Sequence, residues 1–160
     1  MVENVTFDEL RIGQSAELKR TLTPIDVQAF SAVSGDWNPA HLDADYAAGT
    51  IMHTIVGHGM WTGAQISAVF GTILPGLGTI YLGQSLSFRR PVRIGDTLTV
   101  RATVRSKDEA KKRVEFDCLI TNQTGETIVT GTALVLAPTV KLRRPRTKLP
   151  VIRLVDAPAQ

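Results

Sequence analysis

The chain has 160 residues, 43% of them hydrophobic, and a formal net charge of +3, which fits one globular domain large enough to bury a core. Its one cysteine, Cys118, excludes an internal disulfide framework, and the alternating pattern around it predicts a small core side chain in a reducing compartment. The sequence has no apolar stretch of about 18 residues and no basic segment followed by an apolar run, so we expect a cytoplasmic protein without a membrane partner.

The first third of the chain predicts a strand followed by two short helices. Residues 15 to 22 alternate between apolar and polar side chains and favour a strand. Thr23 as N-cap, followed by a proline and an acidic residue in the first turn, predicts a helix that ends at Gly35. Asp43 can then cap a second helix over 44–48.

The middle of the chain predicts a buried helix and a sheet. Residues 59 to 70 are apolar on nearly every side, which indicates a helix surrounded by protein. The four runs that follow are typical of strands, over 79–88, 97–105, 113–121 and 127–136. A buried helix followed by long antiparallel strands is an α+β arrangement.

Positive charge is concentrated near the C-terminus, where six of the 18 basic residues lie between 141 and 153. Hydrophobic periodicity fails after Pro138, and we divide the chain into a domain over 1–138 and a basic, proline-containing tail over 139–160. A short basic run can contact nucleic acid or an anionic surface. A solvated tail is the commoner state, so we predict no nucleic-acid partner.

A carboxylate and an imidazole lie five residues apart in the stretch from 34 to 43. On one continuous helix Asp36 and His41 would diverge by about 140°, but Gly35 can end the preceding helix and Pro39 forces Asn38 toward an extended conformation. The turn can therefore bring both side chains to one water, as a general acid–base pair requires. The alternative from these residues alone is a common Asp-x-Asn-Pro turn followed by a surface histidine.

Three motifs carry a resemblance to a known family. They are Ser-Gly-Asp-Trp-Asn-Pro-Ala-His-Leu-Asp at 34–43, Gly-His-Gly-Met at 57–60 and Gly-Thr-Ile-Tyr-Leu-Gly-Gln-Ser-Leu-Ser-Phe at 78–88. Through them, residues 23–138 resemble the MaoC-like (R)-specific enoyl-CoA hydratases. The tail adds a likeness to the MaoC-like region found N-terminal in some phosphate acetyl/butyryltransferases.

The resemblance implies a hot-dog fold, in which a sheet curls round a central helix, and a homodimer or larger homo-oligomer. It also implies that Asp36 and His41 are the catalytic pair and that Asn38 is a structural asparagine. The amide of Gly59 would bind the thioester carbonyl, and Ser67 would line the site. The substrate would be an acyl-CoA thioester, with no further cofactor.

The chemistry implied is the syn addition of water to a trans-2-enoyl thioester, for which we favour Asp36 as base and His41 as proton donor. Apolar side chains of the buried helix are candidates for the walls of the acyl pocket, and their bulk indicates short or medium chains. These side chains are Met60, Trp61 and Phe70. Arg89 or Arg90 could contact a phosphate of coenzyme A, and we expect at most one to do so because neighbours on a strand face opposite ways.

The sequence leaves other functions open besides that of a hydratase. His53 and His58 could join His41 in a metal site, but no zinc-type spacing is present, so we predict no metal and interpret both as capping or supporting groups. The same cradle would also suit a hot-dog acyl-CoA thioesterase. A non-catalytic acyl-CoA-binding module associated with a phosphate acyltransferase is the third reading.

Overall fold

A computed structural model describes residues 1–155 of the chain. Its elements in order are β1 (Val2–Glu3), a 3-10 turn (Phe7–Glu9), β2 (Ser15–Thr21), α1 (Pro24–Ser34), α2 (Pro39–Leu42), α3 (Ala44–Ala48), α4 (Gly59–Thr72), β3 (Ile80–Phe88), β4 (Thr97–Asp108), β5 (Arg113–Thr121), β6 (Thr127–Leu136) and β7 (Arg143–Arg144). Every long predicted element is present within a few residues of its predicted bounds. Within residues 1–155, none of the helices combines the length and the apolar character needed to span a bilayer.

Five strands form one antiparallel sheet in the order β2-β4-β5-β6-β3. The helix α4 packs on this sheet with five buried side chains, which are Trp61, Thr62, Ile66, Val69 and Phe70. This arrangement confirms the predicted α+β hot-dog fold. It also leaves β3 at one edge of the sheet, directly after the central helix in the chain.

The alternation of side chains along β5 shows why the sheet has one buried face. Val114, Phe116, Cys118 and Ile120 are buried, whereas the residues between them are more exposed. Successive residues of a strand face opposite sides, so this period-2 pattern presents one apolar face to α4. Burial raises the pKa of the Cys118 thiol to about 11, which agrees with its predicted role as a small core side chain.

The first helix begins and ends where its local sequence predicts. Thr23 accepts a hydrogen bond from the Asp26 amide at 3.2 Å, and the Asp26 carboxylate accepts one from the Thr23 amide at 2.9 Å. This reciprocal capping box satisfies amides that the first helical turn leaves free. Gly35 ends the helix with φ +77°, a left-handed conformation that suits glycine.

The first residues of the predicted tail lie against the N-terminus. β7 pairs antiparallel with β1, and the Lys141 ammonium donates to the Asn4 carbonyl at 2.6 Å and to the Glu9 carboxylate at 2.8 Å. The Leu142 amide donates to the Asn4 side chain at 2.9 Å. Residues after Pro138 therefore contact the N-terminus as far as β7, whereas residues 145–155 have no helix or strand and 156–160 lie outside the described residues. The boundary at 138 between domain and tail stays a prediction.

Candidate active site

The turn after α1 orients the carboxylate of Asp36. Its Oδ1 accepts a hydrogen bond from the Asn38 amide at 3.1 Å, an Asx-turn that fixes the side chain to its own backbone. The Asn38 side chain accepts from the Ala40 amide at 3.0 Å and so caps α2. With Oδ1 occupied in this way, Oδ2 is the oxygen that faces the neighbouring histidines.

His41 lies on α2, a single helical turn that the sequence analysis does not predict. Its Nδ1 is 2.7 Å from the Val56 carbonyl oxygen, so Nδ1–H donates there, and its Nε2 is 3.9 Å from Asp36 Oδ2. If one water lay about 2.8 Å from both atoms, the angle Nε2–water–Oδ2 would be about 90°, and a single water can make both hydrogen bonds at that angle. The turn therefore brings Asp36 and His41 together as predicted.

His58 completes a cluster that sequence reasoning does not assemble. It is the N-cap residue of α4, yet its side chain makes no capping hydrogen bond. Its ring stacks on that of His41, with ring centroids 3.8 Å apart, and its Nε2 lies 3.0 Å from Ser31 Oγ and 4.0 Å from Asp36 Oδ2. Burial, and then the nearby charge of His41, lowers the pKa of His58, so the ring is neutral at neutral pH.

Gly59, the first residue of α4, borders a cavity of about 320 Å³. As the first helical residue it has an amide without an intrahelical acceptor, at the positive end of the helix. A Cβ at this position would lie 3.1 Å from Cε1 of Phe88, so glycine leaves the approach to the amide open. Asp36 and His41 do not line the cavity themselves but lie beside His58, which does. The cavity is lined by Met52, Val56, Gly57, His58, Gly59, Thr62, Phe88, Arg89, Arg90, Pro91, Val92, Ile128 and Val129.

The structure does not bring the predicted acyl-pocket residues to this cavity. Trp61 and Phe70 are 5% and 1% exposed and belong to the core beneath the sheet, whereas Met60 is 57% exposed. Ser67 lies about two turns along α4 on its exposed side and does not line the cavity either. The apolar walls come instead from the end of β3, the segment after it and the start of β6. Periodicity along one helix identifies its apolar residues but not the strands that face the ligand.

Arg89 and Arg90 both line the cavity, and the expectation that at most one of them contacts a phosphate of coenzyme A stays a prediction. The alternation rule does not apply because β3 ends at Phe88, and the amides of both arginines point to the Ile128 carbonyl at 2.8 and 3.4 Å. Arg90 Nε also lies 3.6 Å from a Glu126 carboxylate oxygen. Beyond Arg90 lies a second cavity of about 360 Å³, with a mainly polar lining that includes Arg93 and Asn122.

The cluster of Asp36, His41 and His58 is also where a metal ion would bind, since its donor atoms lie within 4.8 Å of one another. His53, the third predicted metal candidate, is not part of it. The two imidazole rings are stacked with an interplanar angle of 26°, so the lone pairs of their nitrogens lie in nearly parallel planes. A metal needs lone pairs that converge on one point, and the arrangement suits proton transfer better.

Known proteins are similar to this chain in both sequence and architecture. Residues 9–124 match the MaoC like domain family. An (R)-specific enoyl-CoA hydratase of Rhodospirillum rubrum is 45% identical over 132 residues, which cover 82% of this chain and 91% of that protein. A 3-hydroxybutyryl-CoA dehydratase of Methylorubrum extorquens is 41% identical over 133 residues, covering 82% and 83% of the two chains.

Among solved structures, the unliganded R-hydratase PhaJ1 of Pseudomonas aeruginosa superposes with a TM-score of 0.91 at 47% sequence identity. The superposition covers 96% of this chain and 98% of that one. The family match over 9–124 includes the turn with Asp36 and His41 and the helix that begins at Gly59. The chain belongs to the family of MaoC-like domains.

Proposed function

We propose that this protein is an (R)-specific enoyl-CoA hydratase, in which Asp36 and His41 share the reacting water and the Gly59 amide binds the thioester oxygen. The observation that carries the proposal is the 3.9 Å separation of Asp36 Oδ2 and His41 Nε2 beside the start of α4. The hydratase at 45% identity and the dehydratase at 41% identity support the same reaction class. A hydratase run in reverse is a dehydratase.

The proposed reaction adds a water across the Cα–Cβ double bond of a trans-2-enoyl thioester. Asp36 takes a proton from the water as its oxygen bonds to Cβ, and the double-bond electrons move toward Cα and the thioester oxygen. The Gly59 amide stabilises the charge on that oxygen, and protonated His41 delivers a proton to Cα. Exchange of protons with solvent then restores the ionised Asp36 and the protonated His41.

Recognition of the carrier would fall to the arginines at the edge of the cavity. Arg89 has no ion-pair partner among the described residues, so its guanidinium is available for a phosphate of coenzyme A or of a phosphopantetheine arm. Arg90 already forms an ion pair with Glu126, which makes it the weaker candidate for contact with the phosphate. The mainly polar cavity beyond Arg90 would have room for part of the nucleotide.

We further propose a homodimer. The edge strand β3 carries exposed apolar side chains, with Ile80 55% and Leu82 44% exposed, and unpaired edge strands are commonly covered in natural proteins. On α4, Met60 and Ser67 are seven residues apart, just under two turns, on the side that the sheet leaves uncovered. A partner subunit packed on this side would bring both residues toward an acyl chain.

A cytoplasmic location remains our prediction from the sequence.

The test is the loss of the conjugated enoyl-thioester absorbance of crotonyl-CoA, with the product coupled to an (R)-specific 3-hydroxyacyl-CoA dehydrogenase. Asp36→Asn and His41→Ala should each lower kcat by about 10²- to 10⁴-fold with little change in thermal stability. Asp45→Asn and His53→Asn remove the same kinds of group outside the cluster and should keep full activity. Near-full activity in either site variant would refute the assignment of the pair.

The same preparation separates the two other readings. Release of free thiol from butyryl-CoA, without hydration of crotonyl-CoA, would favour the thioesterase. Tight binding of acyl-CoA without turnover at any chain length would favour the non-catalytic module. Activity that survives dialysis against a chelator would support the prediction that no metal takes part.

A further inference from the structure

His58 is a buried titratable residue that the proposed reaction does not use. It is 4% exposed, and three neighbours hold its ring. The Ser31 hydroxyl lies 3.0 Å from Nε2, the His41 ring is stacked at 3.8 Å, and the Phe30 ring lies 5.0 Å away on a tilted plane. Its Nδ1 is buried and has no hydrogen-bond partner among the described residues.

These contacts select one tautomer of the neutral ring. A proton on Nδ1 would leave a buried N–H donor without an acceptor, which is costlier than a buried nitrogen lone pair without a donor. The proton therefore belongs on Nε2, where the Ser31 oxygen can accept it. In His41 it is Nδ1–H that donates, to the Val56 carbonyl at 2.7 Å, and Nε2 is the nitrogen directed toward Asp36.

We propose that Ser31 and His58 are a positioning pair for the acid–base site, in which the Ser31 hydroxyl holds the His58 ring in its Nε2–H tautomer and that ring fixes the plane of His41. The bond from His41 to Val56 alone allows the His41 ring to turn about the line of that hydrogen bond. The flat face of His58 at 3.8 Å blocks this rotation. His41 Nε2 thereby stays directed at the water that it would share with Asp36.

The charges around His58 are compatible with a neutral ring. Asp36 and His41 face it from the turn and from α2, and Arg89 and Arg90 line the same cavity. A positive charge on His58 would repel a protonated His41 in the stack and separate the rings. The lowered pKa of His58, due mainly to burial, supports the neutral state.

One test does not require turnover. The chain has three histidines, so long-range ¹H–¹⁵N spectra of their rings at pH 7.5 can be assigned with His41→Gln, His53→Asn and His58→Phe. We expect the Nε2–H tautomer for His58, and its loss in Ser31→Ala. A Nδ1–H tautomer or a charged ring for His58 would overturn the proposal.

The second test is kinetic and rests on the proposed function. Ser31→Ala should lower kcat for crotonyl-CoA about tenfold and leave KM within about twofold, because His41 loses its alignment but the cavity keeps its walls. Ser31→Thr, which retains a hydroxyl, should recover most of the rate. In a His58→Phe background, Ser31→Ala should have no further effect, because the hydrogen bond between Ser31 and His58 is already absent.

Other results would decide against the pair. A kcat within twofold of wild type in Ser31→Ala, or an equal loss in both backgrounds, would overturn the positioning role, and so would a rise in KM at constant kcat. Ser106→Ala removes a serine hydroxyl bonded to Glu115 on the exposed sheet and is the control for a general effect of such substitutions. A wild-type protein with the expected His58 tautomer and no hydratase activity would refute the proposed function while supporting the Ser31–His58 hydrogen bond.

Discussion

A methyl group on Gly59 probes the proposed oxyanion site directly. The added Cβ would lie 3.1, 3.3 and 3.4 Å from three carbons of the Phe88 ring, closer than the usual 3.5–4.0 Å between carbons. Phe88 is 51% exposed, so its ring can move outward by a few tenths of an ångström. Both the methyl group and the displaced ring would then occupy the space through which a thioester oxygen approaches the amide.

Gly59→Ala should change catalytic activity far more than it changes stability. Removal of an oxyanion-hole donor lowers kcat by about 10²- to 10³-fold in known enzymes, and an amide that the substrate cannot reach is equivalent to a missing donor. We therefore expect kcat/KM to fall by about 100-fold or more in Gly59→Ala. Stability should change little, because the better helix propensity of alanine, at most about 1 kcal/mol, opposes the crowding against a movable ring.

The matched control is Gly63→Ala, one turn further along the same helix. Its Cβ would meet Leu86 Cδ1 at 3.2 Å and Met60 Cε at 3.3 Å, so the crowding is similar, but it lies away from the free amides of the helix start. We expect kcat/KM within threefold of wild type for this variant. Hydration of crotonyl-CoA and thermal unfolding measured on both proteins complete the comparison.

Two results would refute the reasoning. Gly59→Ala with kcat/KM within threefold of wild type would mean that the amide of residue 59 does not bind the thioester. Equal losses in Gly59→Ala and Gly63→Ala would trace the effect to displacement of α4.

Two further predictions concern stability. Hydrogen bonds from Lys141 and from the Thr6 amide lower the pKa of Glu9 from 4.5 to about 2; the unfolded chain binds the proton first on acidification, so this stabilisation is complete above pH 4.5 and is lost as the pH falls toward 2. The Tm difference between wild type and Glu9→Gln should therefore shrink over that range, and a difference independent of pH would contradict the account. Gly131→Ala would place a Cβ on the Ser85 carbonyl oxygen of the neighbouring strand and should cost about 2 kcal/mol or more. Gly83→Ala, whose Cβ meets only Leu134 Cβ at 4.0 Å, is its control in urea unfolding, and equal midpoints for the two variants would exclude the clash.

The sequence by itself determined the features that depend on near neighbours in the chain. Thr23 and Gly35 mark the ends of α1 because caps are made by residues within four positions of each other. The break before Pro39 brings Asp36 and His41 together over five residues for the same reason. The strands follow from alternation, which needs no knowledge of their partners.

Only the tertiary structure decided which distant residues meet. Ser31 on α1 and His58 at the start of α4 are 27 positions apart in the chain, yet their side chains lie 3.0 Å apart. Phe88 at the end of β3 likewise lies close to Gly59. Trp61 and Phe70 are as apolar as pocket walls would be, yet the side of α4 on which they lie faces the sheet and places them in the core. A cavity is formed by side chains that separate elements direct toward one space, and this depends on strand order, register and helix rotation, which local sequence patterns do not encode.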